Sequence, residues 1–578
     1  MVKQYATQKL LAFVARYMRR RFDRDTKHFM KCQEQTLLER LRASRDSAYG
    51  RDHNLSGITS LAAFRSSHPV TEYGHYDGYV RRLADGERDV LFTGPPRSLA
   101  CTSGTSGGSK LMPVTGSLVV NLVSGVLLLL DRQLVAFPGA GRLQRQMRPV
   151  VAPRWRYSPG GLPIGPASVA PPGQKDGREH TQFLYSSPPA ANDIPSEPAA
   201  VYVHLLFGLR DRELGAIEAN FASFVYSVFS ALERDWQRLV RDLAAGRLGK
   251  DVDVPDSVRT ACDAALSPEP ARAAELREIF ESENAFRDGR LARRVWPHLN
   301  FITTVTSGAM QLYAARLQGR YTGQVPLYSA LYAATEGLLG VNLWPEESQP
   351  RYVLHPRAML FEFGETAGTD GDKILLASEL EVGGEYELIV TNRSGMFRFR
   401  MGDVVRVVDF YNGAPVVEFL YRKGQLLDVH SEKMSEAAFF GALRSAADGW
   451  SSTLVDYTTA ESVLLAGAAD SPPHYVVLLE LNGKPLTDDE RQKVDESLCA
   501  HHEVYRSFRA KAAIGPAQVV CLRPGAFERL RQHVLANSDT SALQFKVPRV
   551  LRTESLLQLM LEERHPEDGE QQRRTATT

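Results

Sequence analysis

Paired cysteines are missing from this chain of 578 residues. Cys32, Cys101, Cys262, Cys499 and Cys521 are scattered, with no CxxC and no ligand cluster, which argues against a disulfide framework or a structural zinc site and fits a reducing compartment. Net charge is nearly absent as well. The 69 Lys and Arg residues face 68 Asp and Glu, leaving +1, so no overall basic field draws the protein to nucleic acid or to an anionic membrane. Five arginines between Arg16 and Arg24 have Asp23 and Asp25 among and beside them, the pattern of a solvated helix face. The N-terminal apolar stretch, Leu10 to Ala15, is too short to span a bilayer and makes a poor signal peptide. A cytoplasmic protein with no membrane span is expected, with weak interfacial attachment of this helix as the lesser alternative. Also missing are a Ser-His-Asp signature, a Rossmann fingerprint, HExxH, and a lipoamide or biotin site.

What is present is a globular composition, 43% hydrophobic and 24% charged, in a chain long enough for two to four domains. One stretch stands out, Cys101-Thr-Ser-Gly-Thr-Ser-Gly-Gly-Ser-Lys-Leu-Met-Pro113. Gly104, Gly107 and Gly108 permit backbone angles that let successive N–H groups turn inward on an anion. Hydroxyls at Thr102, Ser103, Thr105 and Ser106 add donors, and Lys110 adds charge. It is not a P-loop, because no glycine precedes Lys110 and no hydroxyl follows it. Alone, the stretch reads equally as a phosphate cradle or as a flexible Gly/Ser loop.

In chain order, residues 8–45 have helical periodicity and 116–137 is an apolar stretch expected to form a buried helix. Arg142 to Ala199 is proline-rich, either a linker or a substrate-pocket loop. Phe221, Phe224, Val225, Val228 and Phe229 make an apolar helical stripe, a pattern more often core than pocket. Phe301 to Thr306, a helix from Ala309 and a strand from Val325 follow β-α-β order, which argues for a partly parallel sheet. Tyr332-Ala-Ala-Thr-Glu-Gly337 ends the next strand, where a carboxylate at the C-terminal edge of an α/β sheet is placed to hold Mg²⁺ on a nucleotide, although a cap or solvated turn is the plainer reading. Beyond Gln349 the alternation becomes antiparallel and suggests a small barrel or sheet. Within it, Asp403 after Gly402 is either a hairpin turn or a grip on both ribose hydroxyls. Arg422 to Gly424 looks like a hinge before a smaller α+β unit that carries Lys433 and Lys546. The polar end is expected to be disordered.

Taken together, these segments resemble the Gretchen Hagen family, the auxin-responsive acyl-acid amido synthetases, a branch of the adenylate-forming enzymes. The match is an ordered series: Thr102 to Pro113, Tyr157 to Pro166 with its Pro-Gly-Gly-Leu-Pro segment, Ala309-Met-Gln-Leu-Tyr313, Tyr332 to Glu336, Glu385-Tyr-Glu-Leu388 with Phe397-Arg-Phe-Arg-Met-Gly-Asp403, Lys433, and Lys546-x-Pro-Arg549. Ala334 and Thr335 stand where the family motif has serines, and the overall pattern is closer to the animal branch. The resemblance implies an α/β fold with partly parallel sheets and a small barrel-like region in a large adenylation domain over 1–420. A smaller, mobile α+β domain over 421–555 and a polar tail over 556–578 would follow it.

The resemblance also implies an ATP- and Mg²⁺-dependent ligase that activates a carboxylic acid as an acyl adenylate and passes it to an amine, an amino acid by preference. Within that reading Ser103, Gly104, Thr105, Ser106, Gly107 and Lys110 take the phosphates, Tyr332 and Thr335 line the nucleotide pocket, Glu336 holds the metal and Asp403 grips the ribose. Arg422 lies at the hinge, and Lys433 or Lys546 meets the α-phosphate. Gly160, Gly161, Phe221, Phe224, Val225 and Val228 are the candidates for the acyl group. A ligase that hands the acyl adenylate to coenzyme A and a catalytically silent nucleotide-binding scaffold are the alternatives.

Overall fold

Apolar residues at helical spacing set the N-terminal layer. Helix α1 (Val2–Lys27) is followed by α2 (Phe29–Ser44), and the helix expected over 8–45 is broken at His28, whose φ of −121° and ψ of 41° leave the helical region. The buried face of α2 carries Phe29, Cys32, Gln33, Thr36, Leu37, Arg40 and Leu41. Gln33 docks it, donating to the carbonyls of Pro356 and Met359 (2.8 and 2.9 Å) and accepting from the Phe361 amide (2.7 Å). The structure, a computed structural model, describes residues 2–101, 110–174, 182–366, 373–465, 472–538 and 545–568.

Four sheets follow. Strands β1 (Ser98–Cys101), β2 (Leu111–Val114), β4 (Arg156–Tyr157) and β5 (Pro163–Gly165) form the first, in the order β2-β1-β5-β4. In the second, β3 (Gln146–Met147), β6 (Ala216–Phe221), β7 (Phe301–Val305) and β8 (Leu327–Tyr328) pair in parallel throughout. Helices α4 (Ala222–Ala245) and α5 (Gln311–Leu317) lie on its connections. The parallel sheet expected from the β-α-β order is therefore present.

The region read as barrel-like is an open eight-stranded antiparallel sheet in the order β13-β12-β14-β15-β16-β11-β10-β9. It comprises β9 (Leu331–Ala334), β10 (Gly337–Val341), β11 (Tyr352–Leu354), β12 (Leu360–Glu365), β13 (Ile374–Leu375), β14 (Glu385–Thr391), β15 (Phe399–Tyr411) and β16 (Ala414–Arg422). The fourth sheet, β19-β18-β17-β20, is mixed. Its strands are β17 (Thr453–Glu461), β18 (Tyr475–Asn482), β19 (Gln518–Leu522) and β20 (Val550–Leu551). Its core takes in Leu312 of α5 as well as its own helix α6 (Glu436–Ala447).

Two expectations need correction. Helix α3 (Gly116–Ala136) is not buried. Only Leu118, Gly125, Leu128 and Leu129 turn inward, while Val120, Val123, Val126 and Val135 are exposed, because α3 lies on the outside of the eight-stranded sheet with α1 packed along it. Among the described residues it is the one helix long and apolar enough to cross a membrane. The polar tail expected from residue 556 is folded as far as Asp568. Helix α7 (Glu554–Glu562) buries Leu557 and Met560, the His565 amide donates to the Cys521 carbonyl (2.9 Å), and buried Asp568 pairs with Arg491. These contacts supply what the sequence composition there does not, a few apolar anchors and one buried ion pair.

Candidate functional site

Strands β15 and β16 bring Asp403 and Arg422 opposite each other. Gly402 has a φ of +79°, a left-handed conformation that a side chain would strain, and it turns Asp403 into the protein, where it is 2% exposed. The Arg422 Nε donates to Oδ1 of Asp403 (2.6 Å) and the Tyr332 hydroxyl donates to Oδ2 (2.8 Å). Each carboxylate oxygen keeps a second lone pair. Asp403 raises the affinity of the Arg422 guanidinium for its proton above the ordinary range. Burial, and then Asp403, push the Tyr332 phenol well above the usual tyrosine value. Next along the chain, Lys423 Nζ donates to buried Glu387 (2.7 Å).

Glu336 sits beside this group, but not where a parallel sheet would put it. Ala334 pairs with Gly337, so Thr335 and Glu336 form the tip of the antiparallel β9–β10 hairpin; Thr335 is half-buried and Glu336 is 8% exposed. The Asn392 side chain fixes the tip by donating to the Glu336 carbonyl (3.0 Å). Burial raises the Glu336 carboxyl above the ordinary range, opposed by Arg422 and Lys110 and reinforced by Asp403. Among the described residues no side chain forms a contact ion pair with it. A buried oxygen donor in that condition fits a hard divalent cation.

Lys110 opens β2, with its Nζ 5.4 Å from the ring centroid of Tyr73. Tyr73, which no motif announced, holds this stem through hydrogen bonds in both directions with Leu111 (2.9 and 3.0 Å). Ser103, Gly104, Thr105, Ser106 and Gly107 lie outside the described residues. From the C-terminal side, Lys546 Nζ stands 4.5 Å from the centroid of the Phe221 ring. Its side chain keeps contact with solvent, yet the surrounding protein, and then Arg422, draw its ammonium below the ordinary lysine range against Asp403 and Glu436. Lys433 is exposed on a loop at a φ of +49°, and among the described residues no contact joins it to Asp403, Glu336 or Arg422. The structure thus gathers Lys110, Tyr332, Glu336, Asp403, Arg422 and Lys546, and leaves Lys433 apart.

The acyl candidates divide differently. Phe224, Val225 and Val228 pack into the second hydrophobic core, so this part of the stripe is core, as the plainer reading of such a face had it. Phe221 ends β6 against Lys546. Gly160 and Gly161 form the exposed β4–β5 turn. The Gly160 amide donates to the Ala84 carbonyl (2.8 Å), and a Cβ there would lie 2.3 Å from the Gly86 nitrogen, so its glycine is explained by backbone packing alone.

Three residues beyond Lys546 stands Arg549, which is buried. Arg549 Nη1 donates to Asp456 Oδ1 and to the Tyr457 carbonyl (2.5 Å each), and Nη2 donates to the Ala309 carbonyl (3.2 Å). The Tyr313 hydroxyl donates to the other Asp456 oxygen. Asp456 stands on β17 in the C-terminal sheet, whereas Tyr313 is on α5, so the network ties the two parts together. Asp456 had no sequence signal, because its partners are remote along the chain.

The comparisons with known proteins agree along the whole chain. Residues 18–327 match the GH3 family N-terminal domain, 352–422 the GH3 family central domain and 439–555 the GH3 family C-terminal domain. The indole-3-acetic acid-amido synthetase GH3.8 of Oryza sativa subsp. indica is 32% identical over 558 residues, covering 91% of this chain and 89% of that protein. The GH3 domain-containing protein of Homo sapiens is 32% identical over 558 residues, covering 96% of this chain and 91% of that protein. The solved AtGH3.15 acyl acid amido synthetase in complex with 2,4-DB is 25% identical, with a TM-score of 0.83 over 97% of each chain. With all three of its domains matched in order, this chain belongs to the GH3 family.

Proposed function

We propose that this protein is an acyl-acid amido synthetase that uses ATP. A carboxylate oxygen of the acid attacks the α-phosphorus, the bond to the bridging oxygen of the β-phosphate breaks, and pyrophosphate leaves. The amine nitrogen of an amino acid then attacks the acyl carbon, the carbon–oxygen bond to AMP breaks, and the nitrogen gives up a proton as the amide forms. The observation that carries this reading is the convergence of Asp403, braced by Arg422 and Tyr332, with Glu336, buried and without a contact ion pair among the described residues, and with Lys546. The free lone pairs of Asp403 suit the two ribose hydroxyls, and Tyr332 and Thr335 wall the nucleotide.

Ser103, Gly104, Thr105, Ser106 and Gly107 complete the reading as phosphate donors, with Lys110 beside them. Glu336 would hold Mg²⁺, which supplies neutralising charge to the phosphates when bound. Lys546 is assigned to the α-phosphate, since it shares the electrostatic neighbourhood of Asp403 and Arg422, while Lys433 belongs to a second arrangement reached when the unit over 421–555 rotates. Catalysis on this account comes from positioning and charge neutralisation. The five cysteines form no disulfide and four of them are buried, which supports a cytoplasmic setting.

The test is ATP–pyrophosphate exchange with a panel of carboxylic acids. At least one acid drives exchange, and added amino acids then release AMP together with an amide. Thioester formation with coenzyme A would replace this reading with the rival ligase. ATP binding without exchange by any acid would replace it with the nucleotide-binding scaffold.

A further inference from the structure

Buried arginines usually sit against carboxylates or carbonyls; Arg40 does not. It lies on the inner face of α2, 6% exposed, and among the described residues neither its Nε nor its Nη2 has a hydrogen-bond partner. The nearest carboxylate, exposed Glu39, is 3.5 Å from Nη2, beyond the length of a good hydrogen bond. Arg393, on the turn between β14 and β15, also has a buried Nε without a partner among the described residues, and the buried hydroxyl of neighbouring Ser394 is likewise without one there. Such orphaned donors call for an unseen partner. Both arginines line one cavity of about 230 Å³, together with Thr93, Thr115, Gly116 and Ser117.

The last three residues are the start of α3, a helix of 21 residues with no acidic residue in its first turn. Thr115 caps the Leu118 amide (3.3 Å), which leaves the earlier amides and the positive end of the helix dipole to face a ligand. Arg40 is drawn down to about 10, first by burial and then by Arg393, with Glu39 opposing, the response of a buried cation whose one carboxylate neighbour is long and solvent-exposed. Two guanidinium groups and a helix start make a non-planar donor set, which suits a tetrahedral oxyanion better than a flat carboxylate.

We propose that this cavity binds a phosphate group, with Arg40, Arg393 and the first turn of α3 as its donors. It is separate from the nucleotide site, since α3 begins beyond the end of β2 opposite to Lys110. The two sites share one wall. Asn392, which lines the cavity, accepts from the Ser394 and Met396 amides (2.9 and 3.2 Å) while it donates to the Glu336 carbonyl. An occupied cavity thereby stiffens the hairpin tip that carries Glu336.

Titration calorimetry on the full chain, at constant ionic strength, tests this with orthophosphate, pyrophosphate and glycerol 3-phosphate. At least one binds saturably, and the tightest of the three identifies free phosphate, diphosphate or a phosphomonoester as the natural class. Arg393→Gln weakens that binding about tenfold or more, the loss of a charged hydrogen bond, and Arg393→Lys weakens it less. Arg40→Gln does the same where it folds; the more accessible Arg393 pair decides if it does not. Lys110→Ala leaves this binding in place. No saturable binding by any of the three would overturn the proposal, as would binding that survives Arg393→Gln but disappears with Lys110→Ala.

Discussion

Replacing Arg549 by Met tests the buried network three residues beyond Lys546. Methionine replaces the aliphatic stem but ends near the Nε position and carries no donor, so three hydrogen bonds disappear, to Asp456, to the Tyr457 carbonyl and to the Ala309 carbonyl. Asp456, 4% exposed, then keeps a buried negative charge without its cation. Removal of one partner from a buried ion pair costs about 3–5 kcal/mol, and the Tyr313 hydroxyl and the Tyr457 amide hold the remainder of the site together. Urea unfolding followed by tryptophan fluorescence reads this, since Trp450 packs against the C-terminal core. Arg549→Met is expected to lose that amount. Arg549→Met with Asp456→Asn recovers about 1–2 kcal/mol of it, because the stranded charge is gone. A loss below 1 kcal/mol, or a double variant no better than the single one, refutes the reasoning. The single variant also slows adenylation, because Lys546 stands three residues upstream in the same segment.

On the proposed assignment, Asp403→Ala removes the acceptors for both ribose hydroxyls and is expected to weaken ATP binding about 100-fold, or two charge-assisted hydrogen bonds at the low end of their range. Lys546→Ala leaves the Kd nearly unchanged and slows one half-reaction by about 10²–10³; equal loss of binding in both variants by calorimetry sinks this division. The raised Glu336 carboxyl gives a signed pH dependence. Its contribution to folding is full below about pH 4.3, the unfolded value, and is lost as pH rises through the higher folded value. Glu336→Gln therefore melts above the parent at pH 7 without ligand, the gap closes toward pH 4, and Mg²⁺-dependent ATP binding falls; a gap that widens in acid contradicts the assignment. Gly160→Ala forces a Cβ against the Gly86 backbone and costs about 1–3 kcal/mol in a melting experiment, with the ranking of acids in the exchange assay unchanged.

Local chemistry was legible wherever it rests on neighbours in sequence. Gly402 beside Asp403 and the alternation of β12, β14 and β18 could be read residue by residue. Strand β17 could not, because Asp456, Thr458 and Thr459 interrupt its apolar pattern and find remote partners in Arg549, the Tyr313 hydroxyl and the Pro548 and Arg549 carbonyls. The brace on Asp403 was hidden for the same reason, since Tyr332 is 71 residues away. The stripe from Phe221 to Phe229 has helical periodicity whether it faces a ligand or a core, and only packing separates Phe221 from Val225. Composition misled at the two ends of α3, whose valines look buried, and at α7, where a few apolar contacts hold a polar segment.

The chain leaves the eight-stranded sheet through two consecutive anchors. Arg422 is fixed by strand register and by Asp403, and Lys423 by Glu387. A pivot cannot lie within pinned residues, so any turning of the C-terminal sheet against the rest begins at Gly424. Torque applied beyond that point reaches Asp403 through a lever one residue long. On the proposed assignment, the hold of Asp403 on a nucleotide and the attitude of the C-terminal sheet would be coupled through these two anchors.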